Sequence, residues 1–372
     1  MPALFCNHSI GYHYILQIIL LNCMLRALSS GLFIFLANLS LAQAVGDSII
    51  RRSGNNVKLD IQKQFHSTSA FLDATVSSVN AFNALITKEN YRARITSLNN
   101  PASAGMGFSL ENEIQAALKP LLAKAKNTDP EKFSHVVSSL VTNQRNVPSL
   151  HQALALVNPV FPTLMGLVSN LAVQEKRITR QDLDSFIITT SRYFVQYERL
   201  NQANISFEQG MLQLHSRLKE LQFDTREYIL DMITIIYPGS DRSRLKSIGL
   251  EELLLQYLDE GRMEEKISSV AIQPKYPADG IKSAKEISSS LQKLFAEYQK
   301  IYSDNYLQIL SILNDSKTLG KNINMRQIEN SIKELEKLYQ ETRSSDIIGM
   351  RLNTLVERLK ILVETEQSGT TQ

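Results

Sequence analysis

Histidines and carboxylates are the side chains of this sequence best suited to chemistry, and one pair has a spacing compatible with a metal ion. Glu131 and His135 are four residues apart, so both would face the same side of a helix. A zinc site needs three or four ligands, yet the other histidines beyond residue 46 are scattered, namely His66, His151 and His215. We therefore predict no metal site and no cofactor, although a site assembled from distant segments stays open.

A group of acidic residues between positions 250 and 265 is the second candidate for chemistry. Paired carboxylates can act as general acid and base when burial separates their pKa values. These carboxylates surround several leucines, which is the pattern of an amphipathic helix with a solvated charged face. The acidic residues are Glu251, Glu252, Asp259, Glu260, Glu264 and Glu265, and the leucines are Leu253, Leu254, Leu255 and Leu258.

A glycine pair, Gly105 and Gly107, precedes a predicted helix and is the third candidate, a phosphate-binding loop. The pair lacks a third glycine, a preceding strand and the lysine of a P-loop, so we interpret it as a turn. The sequence also contains no Gly-x-Ser-x-Gly motif. We predict that the protein is not an enzyme and has no catalytic residues.

The first 44 residues predict an export signal. Arg26 is followed by an apolar core from Leu32 to Leu41 and by Ala42 and Ala44, small residues that suit a signal-peptidase site. We expect the mature chain to begin at Val45, with translation starting at either Met1 or Met24. This organisation predicts a periplasmic or secreted protein, and a Gram-negative bacterium as its source.

The remaining chain has no cysteine, because Cys6 and Cys23 both lie in the predicted leader. Disulfides and thiolate chemistry are therefore excluded for the mature protein, and its stability must come from a packed core. The whole chain contains 40 basic and 37 acidic side chains. Because the two signs are intermixed, we predict no nucleic-acid partner.

The longest regular pattern is an apolar seam that begins at Leu183 and continues in alternating steps of three and four residues. A 3.5-residue repeat of this length predicts one long helix, over 182–237, buried against other helices. At 1.5 Å per residue it would extend about 80 Å. The seam comprises Leu183, Phe186, Thr190, Tyr193, Tyr197, Leu200, Asn204, Phe207, Met211, Leu214, Leu218, Leu221, Thr225, Tyr228, Met232 and Ile235.

Both ends of this helix and one polar seam position have recognisable signals. Thr179 and Asp182 form a predicted capping box, and Pro238-Gly239 predicts the stop. Asn204 is a polar residue on the seam, and such residues usually fix the register of packed helices.

The fold class predicted is all-α, an elongated antiparallel helical bundle or coiled coil with one very long central helix. We divide the mature chain into an N-terminal helical region (45–178), the long-helix bundle (179–366) and a disordered tail (367–372). The N-terminal region contains an uncharged apolar segment, 147–174, which Pro159 and Pro162 are expected to split into a hairpin.

Two functions fit this pattern. The first is a non-enzymatic scaffold that acts by protein–protein contact, or by self-association, through its helices. The alternative is a membrane-active protein in which segment 147–174 inserts into a bilayer. The plan of a long helix with a central apolar segment resembles that of helical pore-forming toxins, without matching motif residues, and this resemblance implies the membrane-active alternative.

Overall fold

The computed structural model describes residues 54–142, 150–269, 275–277, 279–320, 322–343 and 346–370. These residues form helices and no strand, which confirms the all-α prediction. The predicted cleavage site at Ala42 and Ala44 lies outside the described residues.

The helices are numbered in chain order. They are α1 (Gly54–Ile86), α2 (Asn90–Leu98), α3 (Leu110–Leu122), α4 (Pro130–Thr142), α5 (Leu150–Gln174), α6 (Arg180–Ile236), α7 (Arg242–Leu245), α8 (Leu250–Tyr257), α9 (Glu260–Ser269), α10 (Gly280–Ser316), α11 (Met325–Arg343) and α12 (Asp346–Thr370).

The central helix, α6, is 57 residues long, which corresponds to about 85 Å. Its predicted capping box is confirmed, since the Thr179 hydroxyl accepts from the Asp182 amide and the Asp182 carboxylate accepts from the Thr179 amide. Every predicted seam residue is buried except Leu183, Asn204 and Ile235, which are half-buried. The seam is therefore the face that α6 turns to the core.

Helices α6 and α10 pack antiparallel along most of their length. Near the start of α6, Arg199 forms a 2.7 Å ion pair with Asp315, close to the end of α10. Further along α6, Arg217 pairs with Glu297. The two helices are therefore antiparallel, because a higher residue number on α6 pairs with a lower residue number on α10.

The other long helices join this pair in a bundle. Ring contacts connect Phe82 of α1 to Tyr298 of α10, with 5.8 Å between ring centroids, and Phe207 of α6 to Tyr302, with 5.0 Å. Helix α12 runs antiparallel to α1, since the Ser67 hydroxyl lies 3.3 Å from that of Thr365 whereas Ser77 accepts a hydrogen bond from Arg351. Lys58–Glu366 form one compact unit.

Apolar residues at spacings of four and three from Ile61 to Ile86 predict one helix from about residue 58 to 95, but the structure has two helices, with a break after Ile86. The break changes the face that is buried, so that Tyr91, Ile95 and Leu98 point into the core. The Tyr91 hydroxyl donates to Oδ1 of Asn305 at 2.9 Å. We attribute the break to this long-range packing, which local periodicity does not report.

The prediction of a hairpin within 147–174 is wrong, because one helix, α5, runs from Leu150 to Gln174. Pro159 and Pro162 are three residues apart, so the backbone hydrogen bonds that they remove fall within one turn. Packing on α6 holds the helix at this turn, where the rings of Phe161 and Phe194 lie 4.9 Å apart. Tertiary packing has overridden the local preference.

The predicted disordered tail is also wrong as far as the structure describes it, because α12 continues from Glu366 through Thr370. Extending an existing helix costs little once its first turns have formed. Polar composition alone therefore did not identify the helix end.

The bundle predicts a strong effect of charge on the seam. Leu218 is 1% exposed, so Leu218→Asp buries a carboxylate without a partner. We expect the free energy of unfolding to fall by about 3 kcal/mol or more, and circular dichroism at 222 nm to show a lower melting temperature. Leu212→Asp is the matched control, because Leu212 lies on the same helix and is 57% exposed. Equal melting temperatures for the two variants would contradict the assignment of the seam.

Candidate interaction surface

The residues predicted as possible metal ligands are not brought together. Glu131 and His135 are both exposed on α4. His66 contacts a single carboxylate, with 3.0 Å between its Nδ1 and Oε1 of Glu260. Within the described ranges, no three His, Cys, Asp or Glu side chains are grouped so that they could hold a metal ion. The side chain of His151 lies outside the described residues.

The acidic residues of α8, of α9 and of the turn between them lie on a solvent-facing surface, as their pattern predicts. All six are exposed, and the leucines between them include the buried Leu253, Leu254 and Leu258. Two of the carboxylates have partners from α1: Glu251 accepts from Asn80 at 2.6 Å, and Glu260 contacts His66. The acidic face thus helps to attach these short helices to α1.

The glycine pair lies in a tightly packed turn. Gly107 has a φ of +81°, and a Cβ atom there would come within 2.6 Å of the Ile328 side chain. Its carbonyl accepts the Asn324 amide at 2.8 Å. This backbone carbonyl and the bulk of Ile328 occupy the space beside the turn, so the glycine provides close packing between the α2–α3 turn and the start of α11.

Asn204, the predicted register-setting residue, is half-buried, and its role in register stays a prediction. The buried amides at this level of the bundle are those of Asn201 and Asn305. The Asn305 side chain donates to the Ala203 carbonyl at 2.9 Å and accepts from Tyr91. It therefore links α10 to both α6 and α2, and its position between Ile301 and Ile309 on the α10 seam could have identified it.

Glu175 is a buried carboxylate that sequence reasoning missed. Its oxygens accept from the amides of Lys126 and Asn127, at 2.9 and 2.8 Å, and from the Thr128 hydroxyl at 3.0 Å. These hydrogen bonds favour the charged form, and the Lys126 amide contributes most to lowering the pKa of Glu175. The carboxylate fastens the α3–α4 turn to the end of α5, which is a structural role.

A groove lies between α1, α6 and the start of α8. Its volume is about 510 Å³, and its walls include Asn80, Lys219, Phe223, Arg226 and Leu250. We call it the Phe223 groove. The phenyl ring is 59% exposed, which is unusual for a large aromatic side chain on a helix that is otherwise packed into a core.

The cations of the Phe223 groove have no carboxylate partner among the described residues. Arg226 donates to two backbone carbonyls, those of Lys246 at 3.0 Å and Ile248 at 2.5 Å. Lys219 is exposed. Glu251 is the one acidic side chain of the wall, and it accepts from Asn80. The groove thus combines an exposed aromatic ring with a net positive charge.

A second groove, of about 360 Å³, lies between α1, α9 and α12. Its ionisable residues are His66, Asp73, Glu260 and Arg358. Opposite charges are present together there, and Ile361 is its one large apolar side chain. This groove offers less apolar contact to a ligand than the Phe223 groove.

Three further apolar side chains are exposed on α6, nearer its start, namely Ile187, at 38%, and the pair Ile188 and Val195. Ile188 and Val195 are 56% and 50% exposed and are seven residues apart, so they share one face. Between them lie Ser191 and Arg192, and the face continues into polar Gln202. None of these three side chains lines either of the two grooves described above.

Comparisons with protein families, with curated proteins and with solved structures find no match to this chain. A search of the described helices for one long and apolar enough to cross a membrane also finds none. Function must therefore be inferred from the surface itself.

The hydrogen bonds of Glu175 predict a pH-dependent contribution to stability. Because its pKa is lowered in the folded protein, this contribution is present above the unfolded value, about 4.3, and is lost as the pH falls through the folded value. We expect Glu175→Gln to lower the melting temperature at pH 7 and to flatten its decrease between pH 5 and pH 3. Glu131→Gln, an exposed residue on neighbouring α4, is the control. A parallel decrease in wild type and Glu175→Gln would contradict this role.

Proposed function

We propose that the mature chain is an exported, non-enzymatic protein that acts by protein–protein contact, with the Phe223 groove as its docking site. The exposed ring of Phe223 beside two cations is the observation that carries the proposal. Aromatic and arginine side chains are enriched among the residues that dominate binding energy at interfaces. Export is supported by the leader sequence with Ala42 and Ala44.

Burial of the Phe223 ring would supply part of the binding energy. Complete burial of a phenylalanine side chain contributes about 1.5–3 kcal/mol relative to exposure in water. Phe223 already has part of its surface covered, so a partner would gain about half of this, or roughly four- to twelvefold in affinity. The walls of the groove supply additional contacts around the ring.

The proposal predicts that Phe223→Ala weakens partner binding without loss of fold. We expect a protein in cell-envelope extract to be retained in larger amount by the immobilised wild-type chain than by Phe223→Ala, as measured by quantitative mass spectrometry. Leu255→Ala is the matched control, since Leu255 is 68% exposed on α8 but does not line the groove. Circular dichroism should show equal helix content in all three proteins.

The retained protein is then purified and titrated against each variant. Binding to wild type and to Leu255→Ala that weakens at least about fourfold in Phe223→Ala supports the groove as the docking site. Equal retention by all three chains would place docking elsewhere and contradict the proposal.

A second candidate is membrane activity through segment 147–174. It is supported by the composition of α5, which contains no charged residue. The side of α5 that faces away from α6 carries small or uncharged residues, including Pro162, Gly166 and Val173. In the folded chain, Leu164 and Val168 are buried, so insertion would require α5 to leave its site on α6.

Membrane activity predicts that the purified protein releases calcein from liposomes made with anionic lipid. We expect Leu164→Asp to abolish release, because insertion would carry the new carboxylate into hydrocarbon. Gly166→Asp places the same charge on the exposed side of α5, where it does not disturb the core. If α5 inserts, this variant should fold as wild type does and also fail to release calcein. Absence of release by the wild-type chain would remove this candidate.

A further inference from the structure

The residues of α6 that line the Phe223 groove belong to a longer strip on one face of the helix. Leu212 and Phe223 are eleven residues apart, which is three turns and about 16 Å along the axis. Lys219 lies between them and Arg226 follows, each at a spacing of three, four or seven residues from its neighbours. The strip therefore has an apolar side chain, then a cation, then an aromatic ring and a second cation.

Acidic residues of the same part of α6 do not line the groove. Asp224 is exposed and projects about 100° away from Phe223. Glu220 is also exposed; it projects about 100° away from Lys219 and borders the strip, three residues before Phe223. Glu227 is engaged by Arg242 at 2.5 Å and by Lys246 at 3.4 Å. From the other walls, Glu251 faces the groove and is held by Asn80.

From this arrangement we propose that the Phe223 groove selects an acidic amphipathic segment of a protein partner, a helix that places a carboxylate opposite Lys219 and apolar side chains on Phe223 and Leu212. This inference rests on the proposed docking function and adds the chemistry of the partner. Complementary charge at an interface governs specificity and association rate more than affinity. Lys219 therefore contributes to the choice of segment, and Phe223 contributes apolar binding energy.

The two cations have different roles in this selection. Arg226 is held by the carbonyls of Lys246 and Ile248, so its guanidinium is a fixed charge at the groove wall. Lys219 is exposed and can turn its ammonium toward a carboxylate as the partner arrives. Because the groove is open to water, this attraction is screened by salt.

The test is a selection of random 15-residue peptides, displayed on phage, against the full-length chain with removal of peptides that also bind Phe223→Ala. We expect the peptides that remain to combine Asp or Glu with Leu, Ile, Phe or Trp at helical spacing. A synthetic copy of the most enriched peptide is then titrated by fluorescence anisotropy. Lys219→Glu should weaken binding at least about tenfold and Lys219→Gln by less, whereas Leu255→Ala should bind as wild type does.

The outcomes distinguish the docking site from the acidic chemistry proposed for its partner. Phe223-dependent peptides that are neutral or basic, or an affinity unchanged in Lys219→Glu, would overturn the acidic partner and leave the groove as a docking site. Failure to obtain any Phe223-dependent peptide would contradict the docking site itself. Light scattering of the chain adds one more outcome, since a dimer abolished by Phe223→Ala would identify a second copy as the occupant and overturn the acidic partner.

Discussion

The packing of α6 against α10 is the interaction on which the rest of the structure depends. One helix of 57 residues cannot keep its apolar seam away from water alone, and α10 covers more of that seam than any other helix among the described residues. Helices α3 and α5 attach to the first half of α6, and α7 to α9 attach to its second half. The Phe223 groove results from this arrangement, because α1 and α8 flank α6 without covering it.

Much of this fold could be predicted because its signals are local. The 3.5-residue repeat from Leu183 onward requires no knowledge of the partner helix, since any helix with this seam must bury it. Thr179 and Asp182 specify the start of α6 through groups only three residues apart. The acidic face of α8 and α9 was likewise predictable, because amphipathic spacing determines which side faces water.

The features that could not be predicted depend on partners far along the chain. The first predicted helix is interrupted before Tyr91, whose hydroxyl donates a hydrogen bond to Asn305. Glu175 accepts hydrogen bonds from amides almost fifty residues earlier in the chain. The Phe223 groove is the clearest case, because its walls come from three helices and its charge depends on which carboxylates lie near Arg226. Spacing along α6 alone gives no reason to separate Phe223 from other outward-facing residues. Tertiary structure, and not the local pattern, therefore defines the candidate site.

The contacts between α1 and α12 have a consequence for the order of folding. Ser67 meets Thr365, and Ser77 meets Arg351, so the two ends of the compact unit close on each other across almost three hundred residues. Closing so long a loop costs more chain entropy than forming contacts between residues that are close in sequence. During synthesis, the packing of α1 is completed only after the last helix has been made. Factors that recognise nascent, incompletely packed chains consequently have nearly the entire period of translation in which to bind the first helix.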